Sequence, residues 1–251
     1  MKILSWNIFG LGNPRSVRAL QDLCWRERPE LVFVMETKVD ASILNKIRNR
    51  CGYSNGLCLS SNGSSGGVGF WWKDVNVDIV SYSLHHFHAN VLDVNNTPIS
   101  RAVGLYGWPE QANKHQTWSL MSKIKLASNL PCIMFGDFNE ILNLSEKEGG
   151  VVRSERLKDS FREAIDRCAL RDLGFKGSIF TWERGNSMST FVRERLDRFL
   201  ADESWCSMFS NHEVRNLPIL KLDHAPILLT TEKKNSDEGG DTGFKFEQLW
   251  L

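Results

Sequence analysis

Long apolar segments are missing from this sequence. The chain begins Met-Lys-Ile-Leu-Ser-Trp-Asn, and its short apolar stretch is interrupted at Ser5 and Asn7. A secretory signal peptide needs an apolar run of roughly 7–15 residues, and a membrane-spanning helix needs about 18 or more. We therefore expect an intracellular protein, nuclear or cytoplasmic, that is neither secreted nor inserted into a membrane.

Paired cysteines are also missing. The six cysteines are scattered along the chain, and no two of them form a Cys-x-x-Cys motif. This pattern argues against a zinc site and against a disulfide framework, and it favours small core residues in a reducing compartment. The cysteines are Cys24, Cys51, Cys58, Cys132, Cys168 and Cys206.

The chain carries almost no excess charge. It has 31 Lys and Arg against 30 Asp and Glu, which gives a formal net charge of +1. This balance excludes a histone-like polyelectrolyte, so any binding of nucleic acid must come from a local patch. The hydrophobic fraction of 41% over 251 residues is ordinary for a globular protein and allows one sizeable core.

Short strands with helices between them are predicted along most of the chain. Asn13-Pro14 is a typical helix start, with an N-cap residue followed by proline. The predicted helices cover residues 14–28, 40–50, 114–129, 154–169 and 195–202. The predicted strands cover residues 2–7, 31–35, 67–72, 76–82, 86–94, 101–106, 132–135, 178–182, 189–193 and 226–229. This alternation predicts a layered α/β protein with two sheets and outer helices.

One domain boundary is indicated near the C-terminus. Residues 232–243 contain no large apolar residue, as is typical of a flexible linker, and residues 244–251 are apolar again. We therefore expect a single catalytic domain over residues 1–231, followed by a linker and an apolar stub over residues 232–251.

Polar side chains follow or precede several predicted strands. Each has an ordinary explanation when taken singly: a turn-forming Asp or Asn, a helix-capping Glu, a packed Tyr or a surface salt bridge. Gathered at one end of a sheet, the same groups would form a hydrolytic site. The candidates are Asn7, Glu36, Tyr106, Asp137, Asn139, Asp197, Asp223 and His224.

The motifs around these residues, in this order, resemble the endonuclease/exonuclease/phosphatase superfamily. Within it, the chain is most similar to the endonuclease domain of plant non-LTR (LINE-type) retrotransposons. The motifs that carry the resemblance are Leu4-Ser-Trp-Asn-Ile-Phe-Gly-Leu-Gly12, Val34-Met-Glu-Thr-Lys38, Tyr106-Gly-Trp-Pro109, Phe135-Gly-Asp-Phe-Asn-Glu140, Ile179-Phe-Thr-Trp182, Glu194-Arg-Leu-Asp-Arg-Phe-Leu200 and Leu222-Asp-His-Ala-Pro226.

The resemblance implies a DNase I-like fold and a metal-dependent reaction. The fold would be a four-layered α/β sandwich, with two mixed β-sheets packed face to face and helices outside. The reaction would be phosphodiester hydrolysis with Mg²⁺, or with Mn²⁺ in its place. Glu36 would hold the metal, with Asn7 and Asp223 nearby. Mg²⁺ suits such a site because it prefers a few hard oxygen ligands and keeps several waters.

The remaining candidates take their roles from the same resemblance. Asp137 would orient or deprotonate the attacking water, and Asn139 would hold the phosphate. His224, paired with Asp197, would bind the scissile phosphate, since a neighbouring carboxylate favours the imidazolium. Tyr106 would contact the phosphate or the leaving group.

Substrate contacts are expected from one threonine and several arginines. Thr181 matches a polar position near the site, and Arg184, Arg193, Arg195 and Arg198 flank the supposed centre. The arginines are either phosphate contacts or part of an ordinary solvated surface. The implied partner is DNA, bound by a monomer with no obligate protein partner.

Two positions depart from the wider superfamily pattern. Phe9 stands where repair endonucleases carry an Asp or Asn near the metal, which predicts weaker metal affinity. Leu222 stands where a Ser usually precedes Asp-His and supports the hydrogen bonds of the site, which predicts reduced activity.

Three functions are therefore compatible with the sequence. The first is a metal-dependent endonuclease that nicks DNA. The second is a phosphatase of the same superfamily, acting on a small or lipid phosphate; the stretch Glu140-Ile141 lacks the Arg expected there. The third is a retrotransposon remnant that binds nucleic acid after catalysis has decayed.

Overall fold

The computed structural model describes residues 1–63, 65–185, 187, 190–219 and 222–231. The predicted linker and stub at residues 232–251 lie outside the described residues. Five α-helices are described: α1 (Pro14–Glu27), α2 (Ala41–Arg50), α3 (Lys114–Leu126), α4 (Glu155–Arg167) and α5 (Glu203–Met208). Within the described residues, no helix combines the length and the apolar character required to cross a membrane.

Most strands form two mixed sheets. In chain order they are β1 (Lys2–Asn7), β2 (Leu31–Met35), β3 (Asn55–Asn62), β4 (Ser65–Trp72), β5 (Asn76–Ser83), β6 (His86–Leu92), β7 (Pro98–Tyr106), β8 (Cys132–Asp137), β9 (Lys147–Glu148), β10 (Leu170–Asp172), β11 (Lys176–Gly177), β12 (Trp182–Arg184), β13 (Val192–Glu194), β14 (Asp197–Asp202), β15 (Glu213–Asn216) and β16 (Ile227–Thr230). One sheet has the order β11-β15-β16-β1-β2-β4-β3, and the other β10-β14-β8-β7-β6-β5. A small third sheet, β12-β13-β9, lies beside them.

The two large sheets pack face to face around one apolar core. Phe33 and Phe70 of the first sheet meet Phe87 and Phe135 of the second, with ring centroids 5.6–6.2 Å apart. The outer face of the first sheet packs on α1 and α2, through residues such as Leu20, and that of the second on α3 and α4. Four layers result, which confirms the predicted α/β sandwich.

The predicted helix at residues 195–202 is wrong, because Asp197–Asp202 forms the buried strand β14. The apolar spacing of Leu196, Phe199 and Leu200 imitates a helix. In the structure, β14 pairs with β8 and β10, and Phe199 faces the inner core while Leu200 faces the α3–α4 layer. A strand buried on both faces loses the alternation by which strands are recognised.

The inward-facing side chains of the central strands change from apolar to polar at one end of the sandwich. In β1, Ile3 packs in the inner core, whereas Leu4 and Trp6 face the helices. Successive side chains of a strand point to opposite faces, so Asn7 points inward like Ile3. The inward positions of β8 likewise run from apolar Phe135 to Asp137. One end of the sandwich is therefore lined by buried polar groups.

Candidate active site

Three adjacent strands of the second sheet place polar side chains in one row. Tyr106 is the register partner of Asp137, and Asp137 is the register partner of Asp197. Asn7 faces this row from the first sheet and donates from Nδ2 to Asp137 Oδ2 at 3.0 Å. The structure thus brings together residues that are up to 190 positions apart, as the resemblance implies.

Glu36 lies on the other side of Asn7. It accepts hydrogen bonds from Asn7 Nδ2 at 3.2 Å and from the Tyr106 hydroxyl at 2.7 Å, both at Oε1. Its second oxygen, Oε2, is 3.6 Å from the ammonium of Lys38. Burial, together with the charge of Glu36, raises the pKa of Tyr106 above its usual range. Tyr106 therefore stays a neutral donor that positions Glu36.

The loop after β8 places Asn139 beside the row. Gly136 has φ +133°, and a Cβ there would lie 2.0 Å from the carbonyl oxygen of Leu105, so only glycine fits. Asn139 has φ +56°; its backbone N–H donates to Asp137 Oδ1 at 2.8 Å, and its side chain donates to the carbonyl of Gly107 at 2.9 Å.

His224 and Asp197 form a buried pair. His224 Nδ1 lies 2.8 Å from Asp197 Oδ2, and Nε2 lies 3.9 Å from Asp137 Oδ2. Burial alone would lower the pKa of His224, but the hydrogen bond and charge of Asp197, with the nearby charges of Asp137 and Asp223, raise it to about 9. With this pKa the ring is protonated at neutral pH, and an imidazolium is suited to bind an anion.

The pKa of Asp137 is also raised, which favours the neutral form of this carboxyl. Burial, and then the charge of Asp197, raise its pKa to about 7, against the lowering influence of His224 and of hydrogen bonds from Asn7 and Asn139. A carboxyl whose pKa lies near neutrality is suited to accept a proton at physiological pH.

Thr181 lies beneath the pair rather than at the surface. It is fully buried, and its Oγ1 accepts hydrogen bonds from the backbone N–H groups of Leu196 at 3.0 Å and Asp197 at 2.9 Å. The predicted substrate contact therefore becomes a support for Asp197, because the hydroxyl faces the protein.

The arginines predicted to contact substrate separate into two groups. Arg184 is exposed and lines the cavity at the site. Arg193 pairs with Glu148 at 2.7 Å and lies over the ring of Phe180. Arg195 and Arg198 are buried, and both pair with the same two carboxylates, at 2.9–3.0 Å. Those carboxylates belong to Glu146 and Asp172.

The prediction that Arg195 and Arg198 contact substrate is therefore corrected to a structural role. Both guanidinium groups are buried among carboxylates, which the spacing of charges along a sequence does not reveal.

Two cations that the sequence analysis missed hold Asn139 in place. Lys114 and Arg153 both donate to the carbonyl oxygen of Asn139. Lys114 also pairs with Glu140 at 2.7 Å, and Arg153 pairs with Glu194. The acidic residue directly after Gly-Asp-Phe-Asn was the available signal, because a buried Glu requires a cationic partner.

An open cavity of about 680 Å³ lies over these groups. Its walls carry Glu36, Asn139, Asp223 and His224. Leu222 lines the same cavity and packs partly against the α1 side of the sandwich. Apolar packing thus anchors the segment where relatives are expected to use a serine hydroxyl. The remaining lining residues are Phe9, Pro109, Arg153, Trp182, Glu183, Arg184, Gly185, Phe191, Glu194 and Leu196.

The donors around Glu36 fit a hard divalent cation. Besides Glu36 Oε2, they comprise Asn7 Oδ1 and Asp223 Oδ1, which is buried and accepts no hydrogen bond from any described residue. Burial, and to a smaller extent the charge of Glu36, raise the pKa of Asp223, and a cation between the two carboxylates would relieve this repulsion. Carboxylate and amide oxygens are the ligand types that Mg²⁺ prefers.

A second group of possible ligands fits a metal less well. Asp137, Asp197 and His224 offer atoms within 4.8 Å of one another. However, His224 Nδ1 already bonds to Asp197, and the raised pKa keeps the ring protonated. A histidine must be neutral to ligate a metal, so this group is better suited to bind an anion.

Comparisons with known proteins agree with this fold. Residues 4–212 match the model of the Endonuclease/Exonuclease/phosphatase family, and no curated protein matches the chain. A 3'-5' exonuclease (NExo) from Neisseria meningitidis is similar in structure, with 18% identity, a TM-score of 0.67, and coverage of 92% of this chain and 99% of that one.

Two further solved structures share the fold. The AP endonuclease LMAP from Leishmania major has 14% identity and a TM-score of 0.71, over 91% of this chain and 86% of that one. The endonuclease domain of TRAS1, a telomere-specific non-LTR retrotransposon, has 11% identity and a TM-score of 0.66, over 91% and 96%. With the family match covering most of its length, and with the acids, amides and histidine at one end of the sandwich, this chain belongs to the endonuclease/exonuclease/phosphatase family.

Proposed function

We propose that this protein is a divalent-metal-dependent phosphodiester hydrolase that nicks DNA, derived from a non-LTR retrotransposon. The proposal rests on one observation: two groups of side chains lie at the same cavity. One is the Asn7–Glu36–Asp223 group of oxygen donors, and the other is the Asp197–His224 pair. Similarity to the TRAS1 domain supports the retrotransposon origin.

Glu36, Asn7 and Asp223 would hold Mg²⁺, or Mn²⁺ in its place. A bound divalent ion supplies a Lewis acid that neutralises charge on the phosphate and the departing oxygen. Tyr106 fixes one oxygen of Glu36 through its 2.7 Å hydrogen bond, and the other carboxylate oxygen remains directed toward Lys38.

The protein groups on the opposite side handle the water and the phosphate. Asp137, with its pKa of about 7, accepts a proton from the attacking water or orients it. His224 donates from Nε2 to a phosphate oxygen, and Asp197 keeps its ring charged and fixed in orientation. Asn139, held through its backbone and side chain, contacts the phosphate.

We infer that the substrate is DNA. Few of the described cationic side chains are available at the cavity to contact its phosphates. Arg184 is the exposed cation on the described cavity wall, whereas Arg153 is engaged with Glu194. Non-specific affinity for DNA comes mainly from phosphate contacts and falls with salt. Binding should therefore be weak at physiological ionic strength.

The test is a nicking assay on supercoiled plasmid. The protein is incubated with Mg²⁺ or Mn²⁺, with and without EDTA, beside the variants Asp137→Ala and His224→Ala and a control variant, Glu163→Gln, on the exposed face of α4. We expect relaxed circles with metal and none with EDTA. Both site variants should lose at least about a hundredfold in activity, Asp137→Ala because it removes a proton-transfer group and His224→Ala because it removes a hydrogen-bond donor to the reacting phosphate.

The control outcomes separate the alternatives. Glu163→Gln should nick like the wild type. A folded protein that leaves plasmid intact but releases phosphate from a small phosphoester would instead be a phosphatase. A folded protein inactive in both assays would contradict the hydrolase assignment and favour a catalytically decayed binding module.

A further inference from the structure

An exposed phenylalanine stands at the mouth of the cavity. Phe9 lines the cavity together with Glu36 and His224, yet 53% of its surface is exposed. Its backbone has φ +43°, a left-handed conformation that is strained for a bulky side chain. Strain of this kind persists where the surrounding structure imposes it, and it is concentrated at functional sites.

Lys38 fixes the orientation of this ring. Its ammonium lies 3.0 Å from the centroid of Phe9, at a distance that gives a cation–π interaction, and 3.6 Å from Glu36 Oε2. Lys38 also has a left-handed backbone, with φ +54°. One face of the ring is therefore covered by the ammonium, and the exposed part of the ring remains available to a ligand.

Aromatic groups continue along the cavity wall. Trp182 and Phe191 line the same cavity as Phe9, and Phe191 is also exposed. The polar centre suffices to bind a phosphodiester, whereas these rings offer a small phosphate nothing to contact. A nucleobase next to the phosphate has a flat π-face that stacks on such rings.

We propose that Phe9, held on Lys38, stacks against a base beside the scissile phosphate. The substrate class is then a DNA strand in which that base is turned out of the helical stack, since a stacked base has no free face. This inference rests on the proposed function and specifies its substrate. Unstacking costs least where the base is unpaired or mismatched, so such sites should be cleaved best.

The test first maps cleavage on a duplex carrying a short unpaired bulge. Each base beside the mapped position is then replaced by an abasic spacer, and kcat/KM is measured for the wild type and for Phe9→Leu and Phe9→Trp. Leu keeps apolar bulk and removes the aromatic face, whereas Trp keeps the face. At one of these positions, we expect the spacer to cost the wild type and Phe9→Trp about tenfold, or about 1.4 kcal/mol, and Phe9→Leu less than about twofold.

A binding measurement gives a second readout. Dissociation constants for the same oligonucleotides are measured by fluorescence anisotropy in an Asp137→Ala background, with Phe or Leu at position 9. The tenfold preference for the intact base should again require the aromatic ring. Thermal melting checks that each variant is folded.

The outcomes separate this inference from the proposed function. Equal losses in wild type and Phe9→Leu, or no loss in the wild type, would overturn the stacking role while leaving nuclease activity standing. Absence of cleavage by the wild type would refute the proposed function. The anisotropy cycle, with the spacer placed in turn at each base in and beside the bulge, would still decide whether Phe9 stacks on a base.

Discussion

Substitution of Thr181 tests whether its hydroxyl group supports Asp197 at the polar end of the sandwich. Its buried hydroxyl oxygen accepts from two backbone N–H groups, those of Leu196 and Asp197. Thr181→Val replaces that hydroxyl with a methyl group of nearly the same shape and leaves both donors unpaired. Each unpaired buried donor costs about 1–3 kcal/mol, so we expect a loss of about 2–6 kcal/mol.

The matched control is Thr181→Ser, which keeps the hydroxyl and removes one methyl group. That change should cost about 1 kcal/mol. For a domain of this size, 1 kcal/mol shifts the melting temperature by about 2–4 °C. Differential scanning calorimetry should therefore place the Ser variant about 2–4 °C below the wild type. The Val variant should melt at least about 4 °C below the wild type, with a drop at least twice that of the Ser variant.

A functional readout distinguishes positioning from stability alone. Thr181 holds the backbone of Asp197 itself, so Thr181→Val should lower kcat for plasmid nicking, measured well below the melting temperature, with KM little changed. The reasoning is refuted if the Val variant melts within about 2 °C of the Ser variant. Equal kcat values in the two variants would refute the positioning role.

Two further perturbations probe the buried charges. Burial alone would raise the pKa of Glu146 and Asp172, but Arg198 lowers both. The pairing of the two carboxylates with Arg198 therefore stabilises the folded state fully at pH values above the unfolded pKa values, which lie near about 4. This stabilisation is lost as the pH falls through the lowered pKa values of the folded state. Arg198→Met should cost about 3–5 kcal/mol in urea denaturation at pH 7 and less at pH 3.5; an equal cost at both would contradict this. Mg²⁺ at about 100 times its Kd should add about 2.7 kcal/mol of stability. That thermal shift should vanish in Glu36→Gln and remain in Glu163→Gln, and its persistence in Glu36→Gln would exclude Glu36 as a ligand.

The buried strands and the polar groups at their ends were predictable from sequence. Strand β8 is a run of buried apolar residues ending at Asp137, and the same pattern identifies β1 with Asn7 and β2 followed by Glu36. The motif resemblance supplied the roles, because a strand-end Asp is usually only a turn former. Strand β14 was missed because the buried charged residues Asp197, Arg198 and Asp202 leave it only a short apolar run, whereas β8 has a longer one.

Charge pairing was not predictable from sequence. Arg184 and Arg195 are similar in the sequence, each close to an acidic residue and near a motif. Arg195 is buried against Glu146 and Asp172, whereas Arg184 lies on the cavity wall. Which cation pairs with which acid depends on contacts between strands that are distant in the chain. For this reason the sequence predicted more arginines free to contact DNA than the structure provides.

The charges that remain explain why a cation is central to the proposed reaction. Glu36, Asp137, Asp197 and Asp223 lie at the polar end of the sandwich. The charge of Asp197 helps to raise the pKa of Asp137, and the charge of Glu36 helps to raise the pKa of Asp223. In contact with this acidic group, the described residues supply Lys38 and the imidazolium of His224, which leaves negative charge in excess. A phosphodiester brings another negative charge into a site where water is partly excluded and repulsion is strengthened. A divalent cation between Glu36 and Asp223 would reverse that balance. Without the cation, the acidic side chains repel the phosphates of DNA. With it, the same side chains hold the ion, and the ion attracts the phosphate.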